Sequence, residues 1–158
     1  MQGLCINLRD PRGLEMVLLR AGGAARGALL PFQAQEPAEL VIANRSVNRA
    51  HEPARIGAAS GASGMQGCAY QDLAGQTFDA VFNATSASLR ADLPPVPASV
   101  FAPGCPPCEL AYGKGLTPLL HLAQNAGVHR LTTAWACWPN RPPKPSNGGA
   151  ACGPTPAR

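Results

Sequence analysis

The sequence predicts an α/β fold, a Rossmann-like doubly wound parallel sheet in a single domain. Three observations carry this. Short apolar strand candidates alternate with helical stretches at intervals of roughly 25–30 residues, the rhythm of repeated βαβ units. The second strand candidate, ELVIA, is apolar throughout, as in a sheet buried on both faces. The first strand candidate runs into a glycine-containing turn and then a helix, VLLRAGGAARGALL, the order of a phosphate-binding loop.

The elements follow in order. Glu15–Leu19 is the first strand and Ala24–Gln33 the first helix, with Pro31 a blemish near its end. Glu39–Ala43 is the second strand. Ser46 is placed to cap a helix that reaches Ala58. The run GAASGASGMQG, Gly57–Gly67, reads as a flexible connection, with a brief third strand over Gly67–Tyr70. Phe78–Phe82 is the fourth strand and leads into Asn83-Ala84-Thr85-Ser86. A proline-punctuated loop spans Leu93–Pro103, and a fifth strand ends across Glu109–Tyr112. Thr117–Asn125 is an amphipathic helix closed by Gly127. After Leu131 the pattern stops. The tail LTTAWACWPNRPPKPSNGGAACGPTPAR has no hydrophobic period, and its prolines predict coil. The expected organisation is a nucleotide-binding domain over residues 1–131 and an unstructured segment over 132–158.

Totals narrow the functional classes. A chain of 158 residues suits one domain. A net charge of +4, with no basic cluster interleaved with aromatics, argues against nucleic acid and mildly favours an anionic ligand. No apolar run approaches the ~18 residues of a membrane span. The N-terminus lacks a signal-peptide core, so the cytoplasm and reduced thiols are expected. Cys105-Pro-Pro-Cys108 has C-x-x-C spacing, but without a second pair it is a poor metal signal. No metal is expected.

Gly22 and Gly23 let backbone approach a diphosphate, and the helix start behind them offers unpaired N–H groups. A full fingerprint would begin with glycine where Arg20 stands. Arg20 either strains the turn or, at negative φ, adds a cation near the phosphates. Two glycines can also occur at any strand–helix junction. The second strand ends in Asn44-Arg45-Ser46-Val47-Asn48-Arg49, without the carboxylate that usually holds a ribose 2′-hydroxyl. Two arginines four apart on a starting helix suit a 2′-phosphate. This favours NADP over a merely solvated helix start. Asn83-Ala84-Thr85-Ser86, at a strand's carboxyl end, lines a pocket or simply caps a loop.

These pieces together resemble the shikimate dehydrogenase family. The matching stretches are AGGAARG, NRSVNRA, FDAVFNATSASL and ELAYGKGLTPLL, in the family's order, over roughly residues 4–131. Glutamyl-tRNA reductase has a related asparagine–arginine motif, but NATS followed by AYGKGLTP favours the shikimate enzyme. The resemblance implies reversible hydride transfer between NADP(H) and the shikimate/3-dehydroshikimate pair. It makes Arg20, Ala21, Gly22, Gly23 and Ala24 the phosphate loop, with Arg20 in a glycine's place. Asn44, Arg45, Ser46 and Arg49 match the adenosine-phosphate site. Leu110 falls beside the nicotinamide, and Tyr112 falls at a substrate contact, where ordinary packing is the other reading.

The family's catalytic lysine and aspartate lie in an N-terminal substrate domain. Lys114 and Lys144 do not match that lysine, so the chain is expected to be a cofactor-binding fragment inactive alone. Nor does the tail contain the family's DGxGMLxxQAA. Yet Ala134-Trp135-Ala136-Cys137-Trp138, back-translated and read one base earlier, allows G-L-G-M-L with the second glycine and last leucine forced. A deleted base near Thr132-Thr133 is the expectation. The competing class is a non-enzymatic nucleotide-binding or interaction module.

Overall fold

The first strand, β1 (Glu15–Leu19), is buried from Met16 to Leu19, and its alternate side chains enter two separate cores. In a computed structural model of the chain, residues 12–59, 61, 64–85, 93–110, 116–129 and 132–133 are described. Beside β1 lie α1 (Gly23–Gln33), β2 (Glu39–Asn44), α2 (Val47–Ala59), β3 (Met65–Ala69), β4 (Ala80–Asn83), β5 (Pro107–Glu109), α3 (Pro118–Asn125) and β6 (Thr132–Thr133). Short 3-10 turns cover Tyr70–Leu73 and Ala98–Val100.

The six strands form one parallel sheet in the order β3-β2-β1-β4-β5-β6. This is the doubly wound arrangement expected. Met16, Leu18, Leu40, Ile42, Ala80 and Phe82 face α1 and α2. Phe32 of α1 lies against Phe82, with ring centroids 4.4 Å apart. Val17, Leu19, Val41, Ala43 and Val81 face α3 and the 3-10 turns. Period-two alternation over a run apolar at every position fills both faces, which is why the strands carry no polar stripe.

Several boundaries differ from expectation, each for a local reason. Of residues 57–67, expected as a flexible connection, 57–59 end α2 and 65–67 begin β3. Gly57 and Gly67 serve close packing. A Cβ on Gly67 would stand 2.6–2.7 Å from the backbone of Ala50 and His51, and one on Gly57 would meet the Met65 side chain. Tyr70 leaves β3 for a 3-10 turn, where the Asp72 carboxylate accepts the Ala69 N–H at 2.9 Å. Phe78, expected in the fourth strand, instead bridges Phe101. At the neighbouring position, Asp79 accepts the Glu15 N–H through its carboxylate and donates its own N–H to the Glu15 carbonyl. The fifth strand ends at Glu109, short of Tyr112. Its proline, Pro107, is the first residue, where a missing N–H is tolerated. Thr117 caps α3 and Pro118 follows at the first turn. Gly127, at φ +85°, closes that helix as expected.

β6 pairs with β5 and falls just beyond the expected limit at residue 131, so the sheet reaches Thr133. Ser86, Tyr112, Lys114 and residues 134–158 lie outside the described residues. Among the described residues no helix is long and apolar enough to cross a membrane.

Replacing Gly67 by alanine should destabilise the fold by ~1–3 kcal/mol, because the new methyl meets backbone that cannot rotate away. Gly57→Ala meets only the ends of two flexible side chains, Met65 and Gln33, and should cost less. Urea unfolding of the two variants checks this; the reverse order would show that α2 does not pack on β3 as described.

Candidate functional site

The site is set by strand register. Leu19 ends β1 and is paired with Ala43 of β2 on one side and Asn83 of β4 on the other. The Arg20 N–H donates to the Ala43 carbonyl at 2.6 Å, and the Ala84 N–H donates to the Leu19 carbonyl at 3.1 Å. The three segments leaving these strands therefore depart at one level. β1 and β4 also mark the point where the strand order reverses, and the carboxyl ends there form the crevice in which such sheets hold ligands.

Arg20 takes φ +82°. Of the two alternatives open in the sequence, the turn is thus the strained one: the left-handed region disfavours a residue with a Cβ by roughly 1–2 kcal/mol. The bond to Ala43 holds it there. Its Nε lies 3.8 Å from where a Cβ on Gly22 would stand, so the side chain folds back along the loop. Burial pushes the nearby Tyr70 phenol up, and the Arg20 guanidinium works against that rise. Gly22 is the N-cap of α1 with no side-chain cap, and the first turn of α1 has no acidic residue. Gly23 is exposed, with open space where a Cβ would be. Helix dipole, exposed loop backbone and one guanidinium converge here. An anionic diphosphate fits that combination. Ala21 is buried beneath the loop, and Ala24 lies in the first turn of α1.

Beyond β2, Asn44 is 8% exposed and its amide donates to the Ser46 carbonyl at 3.1 Å. The same carbonyl accepts the Arg49 N–H at 3.0 Å. Arg45, Ser46 and Arg49 are exposed. Because α2 begins at Val47, Arg45 stands in the preceding turn rather than one helical turn before Arg49. The expected helix-face spacing therefore does not relate them; the buried Asn44 fixes the turn that carries Arg45 and leads into the first turn of α2, where Arg49 stands. Arg26 and Glu52 pair at 2.8 Å between α1 and α2, an exposed contact of small energetic weight.

The other half of the crevice was less legible. Asn83 is 1% exposed; its Oδ1 accepts the Thr85 N–H at 3.0 Å and its Nδ2 donates to Glu109 Oε2 at 3.1 Å. It caps its loop, the plainer of the two readings. Glu109, 2% exposed, also accepts from the Thr117 hydroxyl at 2.7 Å. Sequence reasoning missed this carboxylate. The available signal was a lone acid ending an apolar strand eight residues before a Thr-Pro helix start. Leu110 is half-buried, and its N–H donates to the Asn83 carbonyl at 2.8 Å.

The C-x-x-C pair is divided. Cys105 packs in the core facing α3, and Cys108 in the core facing α1 and α2. Cys68 and Cys105 are free thiols, whereas Cys108, expected to be reduced, is disulfide-bonded. Among the described residues no three metal-ligating side chains gather. Burial pushes the Cys105 thiol up to about 12, and burial with the Asp72 and Glu39 charges pushes Cys68 up to about 11.

Two outcomes follow from these environments. Arg20→Gly relieves the left-handed turn and should raise the unfolding free energy by up to ~1 kcal/mol, read by urea melts. The raised thiols stabilise the folded state fully below the unfolded cysteine range. That contribution should fade as pH rises through about 11 and about 12. A pH series of thermal melts on Cys105→Ala beside the parent checks the sign.

No family model matches the chain. The shikimate dehydrogenase (NADP(+)) of Nitrosospira multiformis is 50% identical to it over 117 residues, 74% of this chain and 42% of that protein. The protein of the same name from Dechloromonas aromatica is 45% identical over 118 residues, 75% of this chain and 42% of the other. An Ael1 enzyme from Pseudomonas putida is similar in structure with a TM-score of 0.73 at 48% identity, over 82% of this chain and 46% of that one. A shikimate 5-dehydrogenase from Listeria monocytogenes, solved with shikimate and NAD, has a TM-score of 0.69 at 19% identity over 82% and 48%, a likeness of fold alone. The chain spans 42% of the length of each of these two curated relatives. Over that span the chain is homologous to proteins named shikimate dehydrogenase, at 50% and 45% identity, and it shares its fold with the Ael1 enzyme.

Proposed function

We propose that this stretch is the cofactor-holding part of an NADP-dependent shikimate dehydrogenase, which interconverts 3-dehydroshikimate plus NADPH with shikimate plus NADP. The observation that carries the reading lies beyond β2. Where a carboxylate would hold an unphosphorylated ribose, the chain has a buried amide, Asn44, turned inward to Ser46, and two exposed guanidinium groups, Arg45 and Arg49. A 2′-phosphate is the ligand that chemistry suits.

In this reading Arg20 to Ala24 receive the diphosphate. Asn44 fixes the turn, and Arg45, Ser46 and Arg49 hold the 2′-phosphate. Leu110 lies beside the nicotinamide, and Tyr112 reaches the substrate. Bound NADPH supplies the hydride. What these residues contribute is orientation, a large part of the rate in any two-reactant step. The proton at the reacting oxygen has no donor among the residues assigned here. By family resemblance it belongs to the lysine and aspartate of a substrate domain, and shikimate or 3-dehydroshikimate meets this stretch only through such a domain. A cytoplasmic setting completes the proposal, with neither nucleic acid nor membrane as partner.

NADPH and NADH titrations of the purified chain, followed by nicotinamide fluorescence, test this. Arg45→Ala should weaken NADPH by about tenfold or more, the weight of a charge-assisted bond, and leave NADH nearly unchanged. Equal losses for both would remove Arg45 from the phosphate. Failure of the parent to bind either would sink the nucleotide reading.

A further inference from the structure

The group left without a role is Glu109. It is a carboxylate at 2% exposure, at the carboxyl end of β5, on the side of the crevice away from the arginines. One oxygen, Oε2, accepts from Asn83 Nδ2 at 3.1 Å and from the Thr117 hydroxyl at 2.7 Å. These partners come from the ends of two other elements. Asn83 ends β4, and Thr117 caps α3 with its hydroxyl accepting the Leu120 N–H at 3.4 Å.

The cluster extends along the backbone. Asn83 is paired in register with Glu109, its carbonyl accepts the Leu110 N–H at 2.8 Å, and its Oδ1 accepts the Thr85 N–H at 3.0 Å. A single carboxylate oxygen thus ties together the two residues that end β4 and β5, the start of α3, and, through Asn83, the backbone at Leu110 and Thr85. Burying an acid is unfavourable unless its acceptor sites are used. An apolar residue would fill this space more cheaply, but would leave the Asn83 amide and the Thr117 hydroxyl without their acceptor.

We infer that Glu109 is the positioning residue of the nicotinamide half of the crevice: it fixes Leu110 and the segment after β4 relative to each other, and it touches neither cofactor nor substrate. The inference rests on the NADP reading above, and is specific to one end of that site. The adenosine end is held by Asn44, which ends β2, and Arg45, which follows it, on the far side of β1 from β4 and β5.

The test uses two probes on the full chain: NADPH, and 2′-phospho-ADP-ribose, which lacks the nicotinamide. In Glu109→Ala, NADPH should bind about tenfold or more weakly, while 2′-phospho-ADP-ribose stays within about twofold of the parent. Glu109→Gln should restore NADPH binding, because the amide oxygen can accept both bonds. A purely structural role would weaken both probes together, and that outcome, like no change in either, overturns the inference. So does a parent that binds the two probes alike, since the nicotinamide then gains nothing from this end. If Glu109→Ala does not fold, Thr117→Val removes one donor and Thr117→Ser keeps it. The same split between probes must then appear in the first and vanish in the second, or the inference falls. Loss of both probes in the parent would instead strike the NADP reading itself.

Discussion

The alignment of β1 with β2 and β4 is the constraint on which the site depends. Leu19 is in register with Ala43 and Asn83, and the amides of Arg20 and Ala84 continue those ladders by one bond each. A slip of one residue in either pair would turn every buried side chain of that strand to the opposite face. The hydrophobic alternation that fills the two cores therefore also fixes where the glycine loop, the arginine turn and the Asn83 segment emerge. The geometry of a cofactor crevice is here a by-product of packing, with polar residues needed only at the strand ends.

Chemistry is divided across the crevice. On the β2 side the arginines are cationic and exposed; at the end of β5 the carboxylate of Glu109 is buried. The first arrangement suits a multiply charged phosphate, which gains from solvent-facing guanidinium groups without the penalty of burying them. The second suits an uncharged ring that has to be placed rather than attracted. Arg20 sits between them, in a backbone conformation that glycine would adopt freely. The neighbouring ladder and the start of α1 hold the turn in a conformation that its own side chain disfavours.

Much of this was legible in the residues. Apolar runs located β1, β2 and β4, Thr-Pro located the start of α3, and the glycine–arginine spacing located the loop and the turn. Three kinds of information were not local enough to read. Gly57 and Gly67 resembled a flexible linker, because a glycine that admits a neighbouring backbone looks the same in sequence as one that supplies freedom; only the approach of α2 to β3 tells them apart. Phe78 read as strand from its apolar neighbours, but its partner, Phe101, is distant in sequence. Glu109 read as the end of a strand, and its meaning depends on Asn83 and Thr117 arriving at the same point. The strain at Arg20 was one of two options, and only a dihedral angle could choose.

Strand length falls across the sheet from β2, from six residues there and five in β1 to four in β4 and three in β5. Fewer ladder bonds mean cheaper local opening, so amide protons should exchange faster in β5 than around β1. In the proposed reading, the stiff wall of the crevice is the one that meets the phosphates and the compliant wall the one that meets the ring. A dinucleotide arriving here would be gripped at its charged end first, and the softer side would close around the rest.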